Sequence, residues 1–133
     1  MPYEEHEAGG MAIDAGHKRP GPGLMGASTL IGDPVQNLRI EYLAVVKEVM
    51  LDMRTGKIAF AILASGSIFS LDQTLFAVPW EALVHDTVLN RFMLDIDKER
   101  FEQAPGFDMR HWPNMMDPHW AEQIHRFYGI APK

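Results

Sequence analysis

From residue 27 onward the chain reads as short apolar runs separated by turn-forming residues, a pattern that predicts strands. Leu43 to Met53 is a long, mostly apolar strand interrupted by Lys47-Glu48, with large apolar residues on both faces either side of that charged pair. Such a strand is expected to bend, as a barrel requires. Arg54-Thr55-Gly56-Lys57 is a tight hairpin turn, because Gly56 can take positive φ at no steric cost. The return strand sets Ile58, Phe60 and Ile62 on one face against Ala59 and Ala61 on the other. Leu75 to Val78 reads as a buried strand stopped by Pro79, which removes a ladder donor and fixes φ, so that Trp80 folds back over the barrel end and is packed. A second hairpin spans Leu83 to Ile96, with Phe92, Leu94 and Ile96 inward and Arg91, Met93 and Asp95 toward water.

Sequential strands joined by short turns imply a meander. The expected fold class is mainly β: a small, meandering, partly open β-barrel over residues 27 to about 96, followed by a C-terminal helical extension. The expected core is Leu30, Val45, Val49, Leu51, Ile58, Phe60, Ile62, Val78, Leu83, Phe92, Leu94 and Ile96. In the C-terminal third, Asp97 can cap a short helix through about Gln103, ended by Ala104-Pro105-Gly106. A second helix has Asp117 as N-cap, Pro118 as its first residue and Gly129 as its stop. Its apolar stripe of Trp120, Ile124, Phe127 and Tyr128 must be covered, first by the chain's own barrel and otherwise by a second copy.

Residues 1–26 differ in kind. Gly9-Gly10, Pro20-Gly21-Pro22-Gly23 and the acidic Glu4, Glu5 and Glu7 offer too little apolar surface to offset ordering entropy. The expectation is a flexible tail, either a plain linker or a tether that a partner orders. The expected division is therefore a tail over 1–26, a barrel over 27–107 and an extension over 108–133 carrying one amphipathic helix.

The run Phe76-Ala77-Val78-Pro79-Trp80-Glu81-Ala82-Leu83, with Asp97-Lys98-Glu99-Arg100-Phe101-Glu102-Gln103-Ala104-Pro105-Gly106-Phe107 some twenty residues on, resembles the PRC-barrel family. The resemblance takes in Ala27 to Val35, similar to the family's opening strand, and Val49 to Lys57. Downstream, Trp112-Pro113, Trp120 and Ile124 to Gly129 are similar to the extension of free-standing bacterial members. Where the family has a Gly-rich turn, this chain reads Ile68-Phe69-Ser70-Leu71-Asp72-Gln73-Thr74. The resemblance implies a domain that docks onto protein partners, as in the photosynthetic reaction-centre H subunit and ribosome-maturation factors, and implies no catalytic centre.

Composition narrows the function classes. The 133 residues suit a single domain, and 47% apolar residues can fill one core. A net charge of −6 opposes the phosphate attraction behind most nucleic-acid binding, so no direct nucleic-acid partner is expected. The absence of cysteine removes disulfides, thiolate catalysis and Cys-based zinc sites, and fits a reducing compartment. No apolar run approaches the roughly 18 residues of a membrane span, and the N-terminus has no h-region, so the expected location is the cytoplasm.

Candidate chemistry is sparse. His111, His119 and His125, with Asp108 and Asp117, have the donor types of a metal site, but His119 and His125 are six apart on one helix and lie on opposite sides. Asp95-Ile96-Asp97-Lys98-Glu99 superficially resembles a calcium loop, yet lacks the turn glycine at Arg100 and carries Lys98. Ser65-Gly66-Ser67 and His85-Asp86 supply triad residue types without a nucleophile elbow. No catalytic residue, metal or cofactor is therefore expected.

The unusual feature is a Met/Trp-rich surface. Met109, Met115 and Met116 beside Trp112 and Trp120 are either core or a contact surface, since methionine adapts its shape to irregular partners. With the Ile68-Phe69 turn they form the candidate interaction surface, and the chain is expected to form a homodimer through the Phe107 to Tyr128 segment and that turn. The function expected is a non-catalytic interaction or assembly module whose protein partner is unknown. The alternative is a ligand-binding or enzymatic domain with a crevice between barrel and helix, lined by Trp80, Trp112, Trp120 and Tyr128.

Overall fold

A computed structural model describes residues 23–65 and 73–131. Contacts group the chain into two units, Met1–Leu30 and Ile31–Lys133. Most of the expected tail and the Ile68-Phe69 turn lie outside the described residues. In the first unit, Ala27–Thr29 form one turn of 3-10 helix in which Thr29 Oγ1 donates to the Gly26 carbonyl at 2.6 Å. The expected opening strand is thus cut short: β1 spans only Pro34–Gln36.

Among the described residues the second unit is a seven-stranded sheet that does not close. Its strands are β1, β2 (Tyr42–Asp52), β3 (Lys57–Ala64), β4 (Thr74–Pro79), β5 (Leu83–Asp86), β6 (Arg91–Leu94) and β7 (Phe107–Asp108), in the spatial order β5-β6-β1-β2-β3-β4-β7. β1 to β4 form the expected antiparallel meander. The β5–β6 hairpin departs from it by crossing to the other end, where β6 pairs with β1 in parallel, Val35 opposite Phe92. Side chains hold that junction: Arg91 Nη1 donates to Gln36 Oε1 at 2.8 Å, and His85 Nε2 lies 3.4 Å from Asp33 Oδ2. Asp86 closes the β5–β6 turn, and its carboxyl is held below the usual carboxylate range by the backbone N–H of Leu89, by Arg91 and by the N–H of Val88.

Opposed residues of paired strands point to the same side, so the register divides the core into two faces. Val35, Ala44, Val46, Ala61, Leu63, Phe76, Val78 and Phe92 share one face. Phe60, Ile62, Ala64, Leu75 and Ala77 share the other, which α2 (Pro118–Phe127) covers through Ile124. The chain's own sheet is thus the cover for the helix stripe. Both faces of β3 and β4 are buried from Phe60 onward, so Ala61 is core rather than the back of a one-sided strand. α1 (Lys98–Glu102) packs Phe101 on Phe76, with ring centroids 4.7 Å apart. Asp97 stands at its N-cap position, but its side chain accepts no capping bond.

The core differs from the sequence expectation in an instructive way. Leu30, Phe60, Ile62, Val78, Phe92 and Leu94 are buried as expected. Val45, Val49, Ile58, Leu83 and Ile96 are only half-buried, and Leu51 is 50% exposed. β2 is bulged between Val46 and Glu48, with Lys47 as the extra residue, and β3 is bulged at Ala59, opposite Met50–Leu51, which together break the period of two from which the inner positions were assigned. In addition, β1 pairs β2 only as far as Val45, and β4 pairs β3 only as far as Phe60, so the distal β2–β3 hairpin runs past its neighbours. Ile96 falls beyond the end of β6, and Leu83 opens an edge strand. Trp80 is half-buried, packed edge-on to Phe92 at 5.7 Å. Asn37, only 2% exposed, was not marked by the apolar pattern: its Oδ1 accepts from the N–H groups of Arg39 and Glu41, closing the β1–β2 turn in which Ile40 takes a φ of 62°.

Candidate functional site

The distal β2–β3 hairpin and the start of α2 together form a groove of about 650 Å³. Its floor is local in origin. Met50 opposes Phe60 and Leu51 opposes Ile58, with Ala59 the extra residue of a β3 bulge between them, and all five line the groove. The hairpin tip follows from Asp52-Met53-Arg54-Thr55-Gly56. The Asp52 carbonyl accepts from the N–H of Thr55 and, at 2.7 Å, from that of Gly56, whose φ is +77°. The Asp52 carboxylate accepts from the Arg54 N–H at 2.9 Å and pairs with the Arg54 guanidinium at 3.3 Å. The Arg54 side chain first, and its backbone N–H next, lower the Asp52 pKa. Met53 is left 86% exposed at this tip.

The opposite wall is built by the entry into α2. Asn114 accepts the Met116 N–H on Oδ1 at 3.1 Å and the Asp117 N–H on its carbonyl. Asp117 caps the helix by accepting the His119 N–H at 2.9 Å, with Pro118 at the first helical position. This turn sets Met115 partly into the core cluster and leaves Met116 60% exposed on the groove, where Ala121 and His125 continue the wall. His125 Nδ1 donates to the Ala121 carbonyl at 2.7 Å, and its ring meets the edge of Phe60 at 5.6 Å, so it is a packed wall residue. The lining carries balanced charge, with Asp52, Arg54 and Lys57 on the hairpin side and Glu81 from the turn after β4.

The five named residues of the extension therefore separate. Met115 and Met116 stand at the groove. Trp120 packs on Phe60 with centroids 5.2 Å apart and belongs to the core periphery. Trp112, 43% exposed, packs on Phe107 at 5.1 Å, and Met109 is 50% exposed. None of the residues expected to line a crevice, Trp80, Trp112, Trp120 and Tyr128, lines this groove. The floor residues Met50 and Ile58 were missed; the one sequence signal was Met53, a large apolar residue placed against a turn. A second depression of about 440 Å³, bordered by Tyr42, Thr74, Lys98 and Glu102, lies where α1 meets the sheet.

Ser67 lies outside the described residues, and among those described the triad and metal residue types are not brought together in such sites. The carboxylate beside His85 is Asp33, while the adjacent Asp86 turns to Arg91 at 3.1 Å. Ser65 Oγ donates to the Thr74 carbonyl at 3.4 Å. Among the described residues no three His, Asp or Glu side chains are gathered as metal ligands, and no helix is long and apolar enough to cross a membrane.

No curated protein matches the chain. Among solved structures it is similar to a Pseudomonas aeruginosa protein assigned to 16S ribosomal RNA processing, RimM, at 17% identity and a TM-score of 0.39. That likeness covers 56% of this chain and 44% of the other, so the chain spans less than half of that relative. The family profile of the PRC-barrel domain matches residues 22–101, a stretch that runs from ahead of β1 through β6 into α1 and stops before the wall of the groove. With more than half of its residues under that profile, folded as an open, mainly β sheet, the chain belongs to the PRC-barrel domain family.

Proposed function

We propose that this protein is a non-catalytic protein–protein interaction or assembly module, acting in the cytoplasm, in which the barrel is the scaffold and the groove beside α2 is the contact surface. The observation that carries the reading is the groove itself. A concave apolar surface walled by Met115 and Met116 and floored by Met50 and Ile58 has the flexible, polarizable lining suited to a protein side chain or backbone segment. Leu51, 50% exposed, and Met116, 60% exposed, are among its lining residues.

The test is affinity capture with the tagged full chain in cells that also express it untagged, quantified by mass spectrometry against two variants. Met116→Asp places a charge on the wall, and Val88→Asp places one on an equally apolar position of the β5–β6 turn. The reading expects a protein, or the untagged chain, to be enriched on the wild type and Val88→Asp and lost on Met116→Asp. A captured set that Met116→Asp leaves unchanged overturns it.

A further inference from the structure

We infer that the groove holds a soft monovalent metal ion, copper(I), between the thioether sulfurs of Met50, Met115 and Met116 and Nε2 of His125. All four residues line the same hollow. They come from separate parts of the chain: Met50 from β2, the other two methionines from the entry into α2, and His125 from α2 itself. Phe60 is the point around which they gather. Met50 opposes it in the ladder, the His125 ring meets its edge at 5.6 Å, and Met50 and Met115 both pack on the core cluster that contains it. Ala121, one turn before His125, adds only a methyl group to that wall. Met116 is exposed, and its three rotatable bonds let the sulfur swing toward the others.

His125 supplies the second, independent observation. Its Nδ1 lies 2.7 Å from the Ala121 carbonyl oxygen, which can only accept, so Nδ1 keeps its proton and the neutral ring has its lone pair on Nε2. One ring nitrogen tied to a backbone carbonyl is the arrangement that orients metal-bound histidines. No other hydrogen bond among the described residues engages the ring. The donor set then chooses the ion. Thioethers favour copper(I), whereas zinc(II) is held by thiolates, imidazoles and carboxylates. All four donors are neutral, and the charged residues of the lining cancel, Asp52 and Glu81 against Arg54 and Lys57, with the Asp52 carboxylate already paired to Arg54. The hollow therefore has no excess negative charge to draw a divalent ion. Metal was not expected from the imidazole, carboxylate and thiol donors of the sequence; thioether sulfur is a donor of another class.

Anaerobic titration of the purified, untagged full chain with copper(I), in competition with the chromophoric chelator bicinchoninate, is expected to show one ion per chain. Because the chain has no cysteine, thiols give no background. Met116→Leu, which conserves volume, and His125→Phe, which keeps an aromatic ring against Phe60, should each weaken binding at least about ten-fold, a loss that even the outer partners of a metal ligand produce. Met53→Leu should not. Silver(I), a redox-inert stand-in, reports the ligands directly by NMR of the methionine methyl groups. Of the nine methionines, 50, 115 and 116 should shift at one equivalent, the exposed Met53 and Met109 should not, and zinc(II) should move none of the three. Failure to compete with the chelator, equal shifts at Met53, equal shifts with zinc(II), or unchanged affinity in both Met116→Leu and His125→Phe overturns the inference. Met116 is at the surface, so its variant should melt as the wild type does. The inference does not rest on the assembly reading: Met116→Leu leaves the wall apolar, so it should lose copper(I) and keep the captured protein, and either reading can fail alone.

Discussion

Replacing Ile124 by alanine tests whether α2 is held to the sheet tightly enough to be a wall. Ile124 is 1% exposed and is the fully buried residue of that helix, set against Phe60, Ile62, Leu75 and Ala77. The substitution removes three carbons from an apolar environment, about 2.4 kcal/mol at about 0.8 kcal/mol per carbon. A cavity term adds to this. Its floor lies on β3 and β4, whose ladder from Phe60–Pro79 to Ala64–Leu75 cannot shift inward without losing hydrogen bonds, and the Trp120 ring 5.2 Å from Phe60 stops the helix from sinking. The cavity therefore survives, and the total is about 3–4 kcal/mol, within the range for buried Ile→Ala.

Urea denaturation followed by tryptophan fluorescence and far-UV circular dichroism measures it, with the exposed Gln123→Ala as control at within about 0.5 kcal/mol. Ile124→Val should fall between, near 1 kcal/mol. A loss under about 1 kcal/mol for Ile124→Ala would mean that the helix is not packed in solution as described, and the groove would lose its wall.

Gly106→Ala should destabilise the fold by about 1–3 kcal/mol through overpacking, because the added carbon would lie 2.6 Å from Thr74 Cγ2, 3.1 Å from the Leu75 carbonyl oxygen and 3.2 Å from Phe76 Cε1. Adding Thr74→Ser removes the worst contact and should recover part of that loss in a denaturation cycle, so strictly additive effects would refute the steric account. Burial raises the Tyr128 pKa well above the ordinary tyrosine value, against a smaller opposing effect of Arg100, and the phenol oxygen has no hydrogen-bond partner among the described residues. A folded-state pKa above the unfolded one stabilises the protein below about pH 10 and loses that contribution as pH rises further. Tyr128→Phe should accordingly flatten the alkaline fall in stability and leave neutral-pH stability equal or higher; a clear loss at pH 7 in thermal denaturation would show that the hydroxyl is satisfied in solution.

Much of the fold was legible because its causes are local. Gly56, Pro79, Asp117, Pro118 and Gly129 act within a few residues of themselves, and each stands where its chemistry placed it: the turn at positive φ, the end of β4, the cap and first residue of α2, and a φ of 72° after its last turn. The charged pair Lys47-Glu48 likewise marked the bend in β2, where the first bulge falls. What the pattern could not supply was the consequence of that bend. A period of two assigns faces only while it is unbroken, so one bulge in β2 at Lys47 and one in β3 at Ala59 were enough to leave Leu51 at the exposed groove margin while Leu43, Ala44 and Val46 are buried.

The parallel pairing of β6 with β1 and the docking of α2 on the Phe60–Ile62 face were beyond local reading for a related reason. Both depend on which apolar surfaces remain uncovered once β1 to β4 have formed, and that balance is struck between residues some sixty apart in the chain, such as Val35 with Phe92 or Phe60 with Ile124. The site itself belongs to this second kind. Met115 and Met116 stand out in the sequence, but Met50 does not; tertiary structure alone brings a hairpin that outruns its neighbours beside a helix entry set by Asn114 and Asp117, and leaves the hollow between them.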